Sequence, residues 1–103
     1  MSWIEVCEAS SLEKESVIRF DYAGRTFAIY RSLDDRYFAT DGLCTHEGIH
    51  LVDGRVMDDT IECPKHNGIF NYMTGEAMGA PVCIDLETYS TKIEDGKVFL
   101  SID

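Results

Sequence analysis

Two short segments of this chain pair a cysteine with a histidine: Cys44-Thr45-His46 and Cys63-Pro64-Lys65-His66. Thiolate and neutral imidazole are good ligands for borderline and soft transition metals, and two of each can hold iron or zinc. Isolated cysteines and histidines are usually structural, but here each histidine follows its cysteine at ligand spacing, and Gly42, Gly48 and Gly68 give both loops backbone freedom. The plain rival is a closed tetrahedral zinc site. Zinc modules with two cysteines and two histidines usually carry them as like pairs, whereas both pairs here are mixed.

The elements that must position these pairs read as strands. Sixteen residues separate His46 from Cys63, the length of one β-hairpin excursion. Gly54–Met57 and Thr60–Glu62 are its two strands, with Asp58-Asp59 as the turn. Upstream, Trp3–Val6 is a short β-prone start, and Val17–Tyr22 and Thr26–Tyr30 form a hairpin around Ala23-Gly24-Arg25. Tyr37–Thr40 is an aromatic strand that runs into the first pair at Asp41-Gly42. Downstream, Ile69–Tyr72 is a strand, Gly79-Ala80-Pro81 breaks the pattern, and Thr88–Ile93 and Lys97–Ile102 flank the hairpin signal Glu94-Asp95-Gly96. Ala9–Ser16 has no clean apolar face and is read as a turn. Nine or ten short strands without a helix predict an all-β domain, an antiparallel sandwich or partly open barrel. The aromatics Tyr22, Phe27, Tyr30, Tyr37 and Phe38 are expected in its core.

At 103 residues the chain fits one domain and one site. Nineteen acidic against nine basic side chains give a formal net charge of −10, which disfavours nucleic acid and anionic membranes and favours basic protein faces. No apolar run is long enough to span a membrane, and no leader pattern stands near Met1. A soluble protein in a reducing cytoplasm is therefore expected, because disulfide frameworks belong to secreted chains. Cys7 and Cys83 lack a histidine or cysteine partner at motif spacing and are read as small buried residues. Sequence spacing leaves a pairing between those two open. His50 is read as a solvated loop residue rather than a third ligand.

The fuller pattern is specific. Cys44-Thr45-His46-Glu47-Gly48 with Leu51 and Gly54, then Cys63-Pro64-Lys65-His66-Asn67-Gly68-Ile69-Phe70 and Thr74-Gly75, resembles the Rieske ferredoxins over almost the whole chain. These are carriers that deliver electrons to Rieske-type non-haem iron oxygenases, commonly ring-hydroxylating dioxygenases. The resemblance implies a β-sandwich or partly open barrel carrying a small cluster-binding subdomain, all within one domain over residues 1–103. It also implies one [2Fe–2S] cluster, with Cys44 and Cys63 on the inner iron and His46 and His66 on the outer one. The ligand loops would span about 41–51 and 63–70. A third, proline-containing loop at about 79–83 would cover the cluster.

A soluble, monomeric one-electron carrier follows as the expectation, taking electrons from a flavin-containing, NAD(P)H-dependent reductase and giving them to a terminal oxygenase. Imidazole donates less negative charge than thiolate, so the added electron would reside beside the histidines. High-potential Rieske proteins carry an extra cysteine in each ligand loop and cluster-bonding serine and tyrosine hydroxyls. This chain has Ile49 and Lys65, and Gly68 and Phe70, at those positions, which predicts a potential of about −150 mV, low in the Rieske range. Ile49, Leu51, Ile69, Pro81 and Val82 would shield the sulfurs or form a dry patch ringed by Glu47, Asp53 and other acids.

An oxygenase of its own would need a second iron, usually on two histidines and a carboxylate, and with His46 and His66 assigned only His50 is left. The chain is therefore read as a carrier without catalytic residues. The alternatives are a zinc-stabilised interaction module and a Rieske-like small subunit of a nitrite reductase. A carrier never touches the pathway's substrate, so aromatic, heteroaromatic, terpene and cyclic-polyol pathways such as those of rhizopines all stay open.

Overall fold

Two turns fold the chain sharply back on itself. Ala23-Gly24 and Asp95-Gly96 both take positive φ at each position, 53° and 78° in the first and 52° and 74° in the second. That backbone twist matches the twist of flanking antiparallel strands, so each turn makes a tight hairpin. The computed structural model describes residues 2–46, 48–65, 68–79 and 84–102. Its strands are β1 (Ile4–Glu8), β2 (Ser16–Tyr22), β3 (Arg25–Arg31), β4 (Tyr37–Asp41), β5 (Arg55–Met57), β6 (Thr60–Glu62), β7 (Ile69–Asn71), β8 (Thr88–Glu94) and β9 (Lys97–Ser101). Single 3-10 turns occupy Ala9–Ser11 and Leu51–Asp53.

Six strands in the order β1-β9-β8-β4-β3-β2 form a nearly closed, barrel-like antiparallel sheet, and β5-β6-β7 form a second, smaller one. The small sheet is inserted between β4 and β8. Its strands pair in register as Val56 with Ile61 and Ile61 with Phe70. Gly54 permits this hairpin, since a Cβ there would lie 2.1 Å from the Glu62 carbonyl oxygen. β1 pairs with β9 through a register shift between Glu5 and Cys7, an irregularity of the kind that blunts an edge strand against pairing with another chain.

Strand β3 explains how the two sheets share a core. Side chains alternate faces along a strand, and in β3 both faces are covered. Phe27 and Ile29 pack with Leu12, Ala39, Val98 and Leu100 inside the large sheet. Ala28 and Tyr30 pack on the opposite side with Leu51, Ile61, Phe70, Tyr72, Leu86 and the two cysteines Cys44 and Cys63. That double burial is why residues 27–30 are continuously buried rather than alternating. At the seam the Tyr30 and Tyr72 rings stack, with centroids 4.5 Å apart and planes 9° from parallel, and Phe38 meets Tyr72 edge-on at 5.7 Å. The Asp58 backbone N–H also donates to the Glu15 carboxylate at 2.9 Å across the seam.

Of the aromatics expected in the core, Phe27 and Tyr30 are fully buried, and Tyr37 and Phe38 are half-buried. Tyr22 is not a core residue. It ends β2 at the hairpin rim, 44% exposed, where it stacks on Phe20.

Candidate metal centre

The first ligand loop leaves β4 at Asp41 and is closed by a ladder of main-chain bonds. Gly42 N–H donates to the Thr26 carbonyl (3.0 Å), Leu51 N–H to Gly42 (2.9 Å), Cys44 N–H to Ile49 (2.8 Å) and Gly48 N–H to Cys44 (2.8 Å). Leu43 and His50 form an antiparallel bridge at its neck. Glycine is required twice: Gly48 has φ 67°, and a Cβ on Gly42 would stand 3.0 Å from the backbone of Phe27. The second loop begins one residue after β6 and enters β7 at Ile69. Its Cys63 N–H donates to the Gly68 carbonyl at 2.7 Å. Each loop thus ties its cysteine N–H to the carbonyl five residues on, so the two are built alike.

Both loops bury their cysteine. Cys44 is 3% exposed and Cys63 1%, and both belong to the same hydrophobic cluster. His46, two residues past Cys44, is exposed at the surface. His66, Glu47, Cys83 and the loop residues Pro81 and Val82 lie outside the described residues. Among the described residues no three His, Cys, Asp or Glu side chains gather around one point as a single ion would require. A Rieske cluster makes no such demand, since each of its irons takes only two protein ligands. Cys44 and Cys63, both buried, and His46 at the surface are the described residues that could hold such a cluster.

The polypeptide after β7 reaches back to both loops. Met78 N–H donates to the Ile69 carbonyl (2.8 Å), Leu86 N–H to Gly75 (2.7 Å) and the Thr45 hydroxyl to the Ile84 carbonyl (2.7 Å). Of the expected shielding residues, Leu51 is fully buried and Ile49 half-buried, while Ile69 is 37% exposed. Met78, whose N–H holds Ile69, and Ile84 are 52% and 63% exposed, and neither stands out in the sequence. Their one signal is position: both flank the break at Gly79-Ala80-Pro81. Asp53 is exposed, as an acidic rim requires.

His50 differs from its expectation. It is half-buried rather than solvated, and its Nδ1 is enclosed without a hydrogen-bond partner. With Arg19, Asp21, Arg25, Asp41 and Leu43 it lines a cleft of about 530 Å³. Charges there are balanced, Arg19 against Asp21 at 3.0 Å and Arg25 against Asp41 at 3.9 Å. The hydrogen bond from Arg19 holds the Asp21 carboxyl below its ordinary pKa. Tyr89 accepts from Arg25 (2.6 Å) and donates to Asp41 (2.5 Å), and burial, then that carboxylate, push its hydroxyl up to about 12. Cys7 sits half-buried in β1 as a free thiol packed against the large-sheet core.

A family model described as the Rieske [2Fe–2S] domain matches residues 2–90. The chain belongs to that family. As a Rieske protein it holds one [2Fe–2S] cluster, and its relatives are electron carriers rather than catalysts. The ferredoxin component of a naphthalene 1,2-dioxygenase system from Pseudomonas putida is 35% identical over 102 residues, 99% of this chain and 97% of its own. A ferredoxin from Sphingomonas yanoikuyae B1 superposes with a TM-score of 0.91 at 33% identity, covering 99% of this chain and all of its own. The same score, at 32% identity over 96% of this chain and 92% of the matched one, relates it to a complex of reduced oxygenase and oxidized ferredoxin in carbazole 1,9a-dioxygenase. A putative nitrite reductase small subunit shares the fold at 15% identity with a TM-score of 0.84. Among the described residues, no helix is long and apolar enough to cross a membrane.

Proposed function

We propose that this Rieske ferredoxin carries single electrons from an NAD(P)H-dependent flavoprotein reductase to a terminal Rieske-type oxygenase, of the ring-hydroxylating kind named among its relatives. The likeness in construction of the two loops carries this reading: each sinks its cysteine into one shared core, and the first presents its histidine at the surface. Cys44 and Cys63 would hold the inner iron, and His46 and His66 the outer one. The cluster stores one electron. The chain's residues do the rest: buried cysteines keep water from the inner iron, and the exposed histidine edge offers the electron to a partner.

Residues 41–51 and 63–70 then form the ligand loops of a single domain spanning the chain, with residues 79–83 as the third loop. The operating potential is low, about −150 mV on the Rieske scale. Hydrogen bonds to the sulfurs raise a Rieske potential, and the nearby hydroxyls are committed elsewhere: Thr45 donates to Ile84 and Tyr72 to Asp58. Phe70 and Gly68 have no hydroxyl to offer. We place the protein, as a monomer, in the cytoplasm, a compartment that keeps thiolate ligands such as the proposed Cys44 and Cys63 reduced.

Stopped-flow mixing tests the assignment. The purified chain should be reduced by the NADH-dependent reductase of a naphthalene or carbazole dioxygenase system, and the reduced chain should be reoxidised by the oxygenase, with product formation dependent on the chain. Reduction without any electron delivery to the oxygenase would overturn the terminal step.

A further inference from the structure

We infer that Thr45 and Asp85 are positioning residues that brace the two ligand loops against each other and thereby set how tightly, and at what potential, the cluster is held. This inference rests on the ligand assignment proposed above. The brace runs through hydrogen bonds joined by short steps of main chain, all in described residues. From the first loop, the Thr45 hydroxyl, lying between Cys44 and His46, donates to the Ile84 carbonyl at 2.7 Å. The next residue, Asp85, accepts the Ala77 N–H on its Oδ1 at 2.9 Å. Ala77 is bridged in antiparallel fashion to Phe70, two residues beyond the Gly68 carbonyl that holds the Cys63 N–H at 2.7 Å. Met78, donating to Ile69 at 2.8 Å, reinforces the same junction.

The brace is needed because neither loop is fixed by strand pairing to the other. The small sheet ties the second loop to β5 and β6, and the first loop hangs from β4 of the large sheet. Without Thr45 and Asp85, the relative position of the loops depends on side-chain packing around Leu51, Ile61 and Phe70 and on main-chain bonds at the rim, Asp41 N–H to Glu87 and Leu86 N–H to Gly75, which hold the bases of the loops and not their tips. Packing is tolerant of small slips, whereas a bridged ligand pair needs its loops placed to a few tenths of an ångström. The Thr45 contact spans 39 residues of sequence and joins the two loop regions directly, while the Asp85 contact, 8 residues long, fixes the segment that receives it against β7.

Loosening the brace admits water to the cluster. Water stabilises the reduced form, which carries the extra negative charge, so the midpoint potential should rise. Thr45→Val keeps the shape and deletes the donor. At a fixed ambient potential near the wild-type midpoint, it should raise the reduced-to-oxidised ratio about threefold, or about 30 mV at 59 mV per decade. It should also speed bleaching of the visible spectrum by a chelator at least threefold. Thr45→Ser, which restores the hydroxyl, should return both values to wild type, a rescue that a purely steric role would not produce. Asp85→Ala should move both in the same direction, Asp85→Asn, which retains Oδ1, should not, and the double variant Thr45→Val/Asp85→Ala should add little to either single one.

If Thr45→Val holds no cluster at all, Asp85→Ala, which touches no proposed ligand, decides the matter by the same two measurements. Unchanged potential and bleaching rate in Asp85→Ala, or in a Thr45→Val protein that holds its cluster, would overturn the brace. The wild-type chain serves as the separate control: failure of that protein to show a Rieske spectrum would overturn the ligand assignment instead.

Discussion

The large sheet and the small sheet solve the same problem, burial of a short β-strand, with different means. In the large sheet, seven-residue strands such as β2 and β3 pair along their whole length, and Leu12, Phe27, Ile29, Val98 and Leu100 fill one closed interior. Its cations are also internally matched: all seven Lys and Arg side chains outside residues 42–87 make an ion pair, including Arg31 with Asp35 at 2.7 Å and Arg36 with Asp34 at 2.8 Å. The small sheet has three strands of three residues. A three-residue ladder cannot order itself, since each fixed residue costs about 1–2 kcal/mol of backbone entropy. What remains to hold it is the shared core, the turns and the metal site. On the proposed ligand set, the scaffold folds by burial and the site by burial plus ligation.

The largest way to break this comparison is to remove a proposed ligand. Cys63→Ala should abolish the Rieske absorption completely. The deficit should fall on the small sheet, so hydrogen exchange should accelerate by orders of magnitude in residues 55–71 while the amides of β3, β8 and β9 stay protected. Uniform loss of protection would show that both sheets depend on the cluster equally. A normal cluster spectrum from Cys63→Ala would mean that the ligand set is wrong.

Next in size is the seam. Tyr72 is fully buried between Tyr30 and Phe38, and its hydroxyl donates to the Asp58 carbonyl at 2.8 Å. Tyr72→Ala removes a buried aromatic side chain and should cost about 3–5 kcal/mol, read as a lowered urea midpoint. Tyr72→Phe keeps the stack and should cost only about 1 kcal/mol. Burial, and then the nearby Asp59 carboxylate, push the Tyr72 hydroxyl up to about 12. The folded pKa lies above the unfolded value of about 10, so the protonated form favours the fold. Its contribution is intact below about pH 10 and is lost as pH rises through about 12. Tyr72→Phe should therefore lose less stability than wild type between pH 10 and 12. An identical alkaline decline in both proteins would assign it to Tyr89, raised to about 12 in the large sheet, or to the buried Tyr30.

The contrast also explains what could be read from sequence. Strand positions were legible because period-two alternation and the turn pairs Ala23-Gly24 and Asp95-Gly96 are local signals: β6 was placed to the residue, and most other strands to within one or two. The family was legible because the Cys-x-His and Cys-x-x-His spacing that marks it is local too. The pairing of β1 with β9 and of β4 with β8 was not, since alternation says that a strand has a buried face and not which strand lies beside it. Thr45 and Asp85 escaped notice for the same reason. Thr45 reads as the variable position inside C-x-H and Asp85 as one acid among many, until the fold brings each to a partner. Tyr22 was misplaced because aromatic character predicts burial only where the strand still has a neighbour on both sides. His50 was misplaced because the residues that enclose it, Arg19, Asp21 and Arg25 of β2 and β3, are brought beside it only by the fold.

The smallest expected effect concerns charge. Residues 42–87 hold eight acidic side chains against two basic ones, while the rest of the chain holds eleven against seven, all seven of them ion-paired. By sequence, the larger share of the excess negative charge, −6 of −10, lies in the segment that carries the proposed ligands. A field of that shape raises encounter rates with a basic partner face and fades as salt shortens its reach to about 8–10 Å. Asp53→Lys, at an exposed position beside the first loop, should slow reduction by the reductase about two- to fivefold at low ionic strength and leave it unchanged at about 0.5 M salt, where screening is nearly complete. Glu94→Lys, at the far end of the β8–β9 hairpin, makes the same change in net charge and should leave the low-salt rate near wild type. Equal slowing by both variants would mean that the partner responds to the total charge of the protein and not to its concentration around the site.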